Sequence, residues 1–212
     1  MRIMETKVYQ YGELSDKAKE KAREWYASLV FSDPCDWEYV YEDAVRVARL
    51  MGIAIDHQPV RLMGGGTRYE PNISFSGFYS QGDGASFTGS YSYAPGGLKH
   101  VKAYAPQDLE LHRIAKGLQD IQRKFFYKLA AKITTRGSYC HSACMHVSVE
   151  HLDDPYRDVG EAEDEVQTLL RDFADWIYAR LEEEYEYLTS DEQVEESIRA
   201  NDYEFDEDGD MA

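Results

Sequence analysis

Apolar positions near the start of the chain recur at helical spacing. Leu14, Ala18, Ala22, Trp25, Tyr26 and Leu29 are separated by Lys17, Lys19, Lys21 and Arg23, which predicts a helix from Ser15, its N-cap, to Phe31. Asp33-Pro34 opens a second helix, because an oxygen-bearing cap followed by Pro at the first position costs no hydrogen bond. Its stripe is Trp37, Val40, Tyr41, Ala44, Val47, Ala48 and Met51, and Gly52 ends it. The short gap forces an antiparallel or steeply angled pair.

From Ile53 the period changes to that of strands. Ile53-Ala-Ile55 and Val60-Arg-Leu62 read as short strands, followed by Gly64-Gly-Gly66 as a flexible connection. Ile73, Phe75, Gly77 and Tyr79 alternate with Asn72, Ser74, Ser76 and Phe78. Ala85, Phe87, Gly89, Tyr91 and Tyr93 alternate with serines and a threonine. These predict two half-buried strands joined by Gln81-Gly-Asp83-Gly84.

A long helix is expected over 107–131, with Leu111, Ile114, Leu118, Ile121, Phe125 and Leu129 on one stripe. Ile133–Thr135 and Tyr139–Glu150 form a second strand pair. The longest helix covers roughly 160–188, with Ala162, Val166, Leu169, Phe173, Ile177, Leu181 and Leu188 inward. Ser190 with Gln193 makes a capping box for one more helix, anchored by Val194 and Ile198. The order ααββαββαα predicts an α+β fold: a mostly antiparallel sheet of about four strands with helices packed on one face. One domain is expected over 1–200, with its acidic helical part at 156–200, then a frayed acidic tail at 201–212.

Composition narrows the class. Hydrophobic content of 43% with 17 tyrosines supports a packed core rather than disorder. The opening MRIMETKVYQ lacks the apolar run of a signal peptide, and no stretch is long enough to span a membrane. Cys35, Cys140 and Cys144 are few and odd in number, as expected in a reducing cytoplasm. Charge changes the picture most. Residues 1–149 hold 16 Asp+Glu against 19 Lys+Arg, whereas residues 150–212 hold 24 against 4. The formal charge of −17 therefore arises in the last third, a distribution suited to attracting a basic partner.

Three segments resemble a family of phage and prophage proteins: Tyr11-Gly-Glu-Leu-Ser-Asp-Lys-Ala-Lys-Glu-Lys-Ala-Arg-Glu-Trp-Tyr26, Phe75-Ser-Gly-Phe-Tyr-Ser-Gln-Gly-Asp-Gly-Ala-Ser-Phe87, and Tyr187-Leu-Thr-Ser-Asp-Glu followed by Ala200-Asn-Asp-Tyr203. The family often carries the automatic label "antitoxin of toxin–antitoxin stability system". The resemblance implies an accessory protein of a mobile element, of the kind that binds and blocks host factors, and it brings no catalytic residues.

The candidate binding surface is the run Glu182, Glu183, Glu184, Glu186, Asp191, Glu192, Glu195 and Glu196. On helices rising ~1.5 Å per residue, these charges lie about 2.8 Å apart on average. Duplex DNA carries one per ~1.7 Å and a single strand one per ~3.4 Å. The run thus has the charge density of a nucleic acid and suits the basic groove of a nuclease, restriction or surveillance complex. The competing reading is a solvated helix face.

Gln81 and Asp83 are a secondary binding candidate at the hairpin tip, where the alternative is a plain turn. Cys140, Cys144 and His146 would share a strand face and approach zinc chemistry, but paired C-x₂-C spacing is missing, so no metal is expected. Asp202, Glu204, Asp206 and Asp208 resemble a calcium loop but have Glu207 where Gly belongs. No nucleophile elbow or zinc-helix motif occurs. The expectation is a cytoplasmic, non-enzymatic inhibitor without cofactor, of the anti-CRISPR or anti-restriction kind, that mimics nucleic acid and binds a basic host protein rather than nucleic acid or membrane. The alternatives are an antitoxin, a small metal-dependent enzyme, and self-association into a homodimer.

Overall fold

The computed structural model of the chain describes residues 7–30 and 37–212. The expected cap at Asp33-Pro34 lies outside them, as does Cys35. Contacts divide the chain into two compact units, Tyr39–Arg180 and the flanking segments Met1–Glu38 with Leu181–Ala212. The fold is α+β, with six α-helices and ten strands among the described residues. Every strand pairing there is antiparallel.

The central unit is built on α2 (Glu38–Met51), β2 (Ile53–Ile55), β3 (His57–Leu62), β4 (Gly66–Pro71), β5 (Ile73–Ser76), β6 (Gly84–Phe87), β7 (Gly89–Ser92), α3 (Gly97–Tyr104), α4 (Leu109–Lys124), β8 (Leu129–Thr135), β9 (Met145–His151) and α5 (Ala162–Leu188) up to Arg180. Its main sheet runs β2-β7-β8-β9. Period-2 alternation sends Ile53, Ile55, Tyr91, Leu129, Ala131, Ile133, Met145 and Val147 into the core, while Ala54, Ser90, Ser92, Lys132, His146, Ser148 and Glu150 face water. Helices cover the apolar face. Tyr91 on β7 donates to the Leu118 carbonyl of α4, and Phe87 on β6 meets Phe173 of α5 edge to face at 5.8 Å.

One edge of this sheet is closed by side chains rather than a strand. From β9, the Val149 N–H donates to Glu163 and the Val147 N–H to Gln167, each at 3.3 Å. Arg171 donates to the carbonyls of Met145 at 2.7 Å and Ala143 at 3.3 Å. Residues 163, 167 and 171 are successive turns of α5, so one helix face supplies the partners a fifth strand would have offered.

Several boundaries differ from the sequence expectation. The helix expected over 107–131 stops at Lys124. Phe126 and Tyr127 then take left-handed φ of 54° and 64°, and Leu129 starts a strand. Buried Gln122 stabilises this turn through both amide atoms, donating to the Leu129 carbonyl at 2.8 Å and accepting from its N–H at 3.2 Å. Gly64-Gly-Gly66 is the turn of a hairpin, because Gly66–Pro71 pairs back on His57–Leu62. Strand β6 is buried on both faces, not half-buried. A methyl group on Gly84 would lie 2.5 Å from the His141 Cβ, and that closeness lets the 141–144 segment cover it. At the root of the β3–β4 hairpin, Thr88 donates to Asp56 at 3.0 Å and accepts from the Asn72 side chain at 2.7 Å.

The flanking unit comprises β1 (Tyr9–Gln10), α1 (Asp16–Val30), the end of α5, α6 (Asp191–Ala200) and β10 (Glu204–Phe205). Its core is Tyr11, Leu14, Ala18, Ala22, Val194, Ile198 and Phe205, with Trp25 and Tyr203 packed against it. Ser190 caps α6 by accepting from the Gln193 N–H, but the expected capping box is only half formed: the Ser190 N–H goes to the Tyr187 carbonyl and the Gln193 amide donates to Ser197. The 201–212 stretch, expected to fray, is tied down instead. Strand β10 pairs with β1, Phe205 is fully buried, and the Ala212 N–H bonds to the Glu204 carbonyl at 3.0 Å. A single buried phenylalanine, invisible amid acidic neighbours, is what anchors it.

Candidate functional site

The acidic run occupies the end of α5 and the whole of α6 in the flanking unit. From residue 181 to 212 there are 14 carboxylates and one cation, Arg199. Glu183, Glu186, Asp191, Glu192 and Glu196 are exposed, while Glu182, Glu184 and Glu195 are half-buried. The apolar stripe Val194 and Ile198 faces α1, so the opposite face of α6 presents Glu192 and Glu196 one turn apart to solvent.

Asp191 and Glu195, both among the nominated carboxylates, are drawn into the unit's own structure. Glu195 accepts from the Tyr11 hydroxyl at 2.9 Å and from Arg23 at 3.1 Å, and Arg199 lies 3.5 Å away. Arg23 also donates to the Tyr11 oxygen at 3.0 Å and reaches Asp191 at 3.4 Å. The Tyr11 hydroxyl is the main cause of the depressed Glu195 pKa, with Arg199 and Arg23 adding to it against partial burial. Burial raises the Tyr11 phenol above its ordinary value. Glu195 is therefore an anchor that holds α6 to the N-terminal segment, and the display falls to its neighbours. Lys21 similarly reaches Asp210 at 2.6 Å.

The glycine hairpin of the central unit brings together residues that the sequence treated separately. Asp83 accepts the Ser80 N–H at 2.7 Å and closes the turn, while Gln81 is exposed beside it. Tyr79, 74% exposed, is held at a φ of 71°, a conformation rarely stable for an aromatic residue. Phe78 packs against Tyr178, whose hydroxyl donates to the Gly77 carbonyl at 3.2 Å. Tyr139 crosses Gly82 and stacks on His141 at 5.9 Å.

The Cys140, Cys144 and His146 face expected on one strand does not form. Strand β9 begins only at Met145. Cys140 lies in the preceding loop, and Cys144 closes a 3-10 turn with its sulfur 3.7 Å from the His141 Nε2. His146 is exposed on the solvent face of β9. Among the described residues no group of three or more His, Cys, Asp or Glu side chains could hold a metal ion. Asp206 caps its own turn by accepting from Asp208 and Asp210 N–H groups at 2.9 Å each. Among the described residues no helix is long and apolar enough to cross a membrane.

Sequence reasoning missed Asp108 and Trp176. The Trp176 indole donates to Asp108 at 2.8 Å, and the other carboxylate oxygen caps α4 by accepting from Leu111 N–H at 2.9 Å. The cap was legible in Asp108-Leu-Glu-Leu, but its tryptophan partner lies 68 residues away.

A family model described as Domain of unknown function (DUF8835) matches residues 37–191. No curated protein and no solved structure matches the chain. The matched span takes in the central unit and stops at the first residue of α6, so Glu192 and the 204–212 segment lie beyond it.

Proposed function

The chain belongs to that family of unknown function, and from this premise we propose that it is a phage-encoded, non-enzymatic interaction protein. Its acidic C-terminal helices would occupy a basic, nucleic-acid-binding surface of a host defence protein in the host cytoplasm. The observation that carries the reading is the exposed set Glu183, Glu186, Glu192 and Glu196, on an α6 whose Val194 and Ile198 pack into the unit's core and an α5 end whose Leu181 is buried. Rigid display supports affinity, because a flexible acidic segment loses binding energy to ordering. The anchoring of Phe205 and Glu195 removes that cost. The phage origin rests on the resemblance of residues 11–26, 75–87 and 187–203.

The mechanism is steric and electrostatic competition for a site that otherwise holds phosphates. Exposed charges are screened over ~10 Å at 0.1 M salt, so capture weakens steeply as salt rises. The test is affinity capture from host lysate by wild type and by a variant carrying Glu183→Gln, Glu186→Gln, Glu192→Gln and Glu196→Gln, checked for unchanged melting. A nucleic-acid-binding partner held at low salt, displaced by duplex DNA and lost with the variant is the expected result. Equal capture by the folded variant overturns the proposal. A captured toxin that the protein neutralises in cells replaces it with the antitoxin reading.

A further inference from the structure

A cleft of about 780 Å³ opens between the start of α4 and one flank of α5, inside the ~300–1,000 Å³ range of small-ligand sites. Its lining residues all belong to the central unit and include none of the residues nominated above. Asp108, Glu110, Asp172 and Asp175 line it, with Arg180 as the one cation among the lining residues. With more carboxylates than guanidiniums, such a wall is anionic on balance, repels an anion and favours a cation.

The carboxylates are not equivalent. Asp108 is committed to the Leu111 N–H and to the Trp176 indole. Glu110 and Asp172 share Arg113, which bonds the first at 2.5 and 2.9 Å and the second at 2.6 Å. That guanidinium holds the Glu110 carboxyl below its ordinary pKa. An ionised carboxylate offers about four acceptor sites, so Asp172 and Glu110 retain capacity for another donor. Asp175 is exposed.

Apolar surface completes the cleft. Leu109 is 77% exposed and Ala179 is half-buried, above a buried Trp176. Trp176 stacks on Phe173 at 5.6 Å, and the Arg180 guanidinium lies 5.7 Å from its ring centroid. The chain thus already lays one guanidinium on the indole and bridges two cleft carboxylates with another.

We infer that this cleft binds an arginine side chain presented by another protein. The methylenes lie along Leu109 and Ala179, and the planar fork bonds Asp175 and the remaining acceptor sites of Asp172. Arginine is favoured over lysine because a flat fork spans two carboxylates, as Arg113 does. The inference adds a contact for the basic partner proposed above and shares with that reading only the sign of the partner's charge.

The test follows the Trp176 indole N–H resonance of the full chain while N-acetyl-arginine methylamide is added at constant ionic strength. The neutral citrulline analogue is the control. The resonance is assigned by Trp176→Phe, or by elimination with Trp25→Phe and Trp37→Phe if that variant does not fold. The expected result is a saturable shift with the arginine derivative and none with citrulline, weakened roughly three- to five-fold by Asp175→Asn. Glu192→Gln with Glu196→Gln should leave the titration unchanged, so it stands or falls separately from the acidic helices. No shift, an equal shift with citrulline, or an unaltered titration in Asp175→Asn overturns the inference.

Discussion

The side-chain oxygen of Gln167 accepts the backbone N–H of Val147 at 3.3 Å, across 20 residues of sequence. With Glu163 and Arg171 it turns one face of α5 into a substitute for the missing neighbour of an edge strand. Exposed strand edges invite pairing with other chains. Gln167→Leu together with Glu163→Leu should therefore convert a discrete species into concentration-dependent assemblies in light scattering. Each lost hydrogen bond should also cost about 1 kcal/mol of stability. A double variant that scatters like wild type at all concentrations would show that the edge needs no such cover.

Acid stability should depend on Glu195. Its folded-state pKa is depressed, mainly by the Tyr11 hydroxyl. The stabilisation is present above the unfolded carboxylate value of ~4.3 and is lost as pH falls through the lower folded value. Urea melts across that range should show a flatter acid limb for Glu195→Gln than for wild type. Tyr11→Phe should lower stability by about 1 kcal/mol at neutral pH and reduce the same slope. Identical slopes in all three proteins would count against the network.

The C-terminal segment should come loose in Gly209→Ala. Gly209 is buried at a φ of 86°, and an added methyl group would lie 2.2 Å from the Ala18 carbonyl oxygen. A left-handed non-glycine residue alone costs about 1–3 kcal/mol, and the contact adds to that. Hydrogen exchange at the Ala212 amide, which bonds to Glu204, should accelerate toward the unfolded rate. Retained protection would mean that residues 206–210 can rearrange without releasing Phe205.

The root of the β3–β4 hairpin should fail in Thr88→Val. The hydroxyl that links Asp56 and Asn72 is removed while both partners stay; because Asp56 is exposed and Asn72 half-buried, water replaces part of what is lost and the cost should be about 1 kcal/mol. The effect should appear as faster exchange in His57–Pro71, with the β7–β8 amides unaffected. Uniform loss of protection would instead mark Thr88 as part of the central core.

Much of this architecture was written in periodicity. Val40, Ala44, Val47, Ala48 and Met51 of α2 are buried as their spacing demanded, and Leu111, Ile114, Leu118 and Ile121 repeat the pattern in α4. Ser190 announced α6, and the −20 of the last 63 residues announced a charged pole. These features depend on neighbours within a turn or two, or on a simple sum of charge, so one chain is enough to read them.

Other features required partners that are far apart in sequence. Phe125 and Leu129 continue a helical stripe, yet Gln122 and two left-handed residues turn the chain into a strand there. Phe205 looked stranded in an acidic tail until β10 met β1, and Glu195 looked like its exposed neighbours until Tyr11 and Arg23 closed on it. The cleft walled by Asp108 and Trp176 was equally illegible. Local pattern determines which face of an element is apolar, because burial follows the repeat. Only packing decides which polar groups are spent internally, because a hydrogen bond needs two atoms brought within about 3 Å.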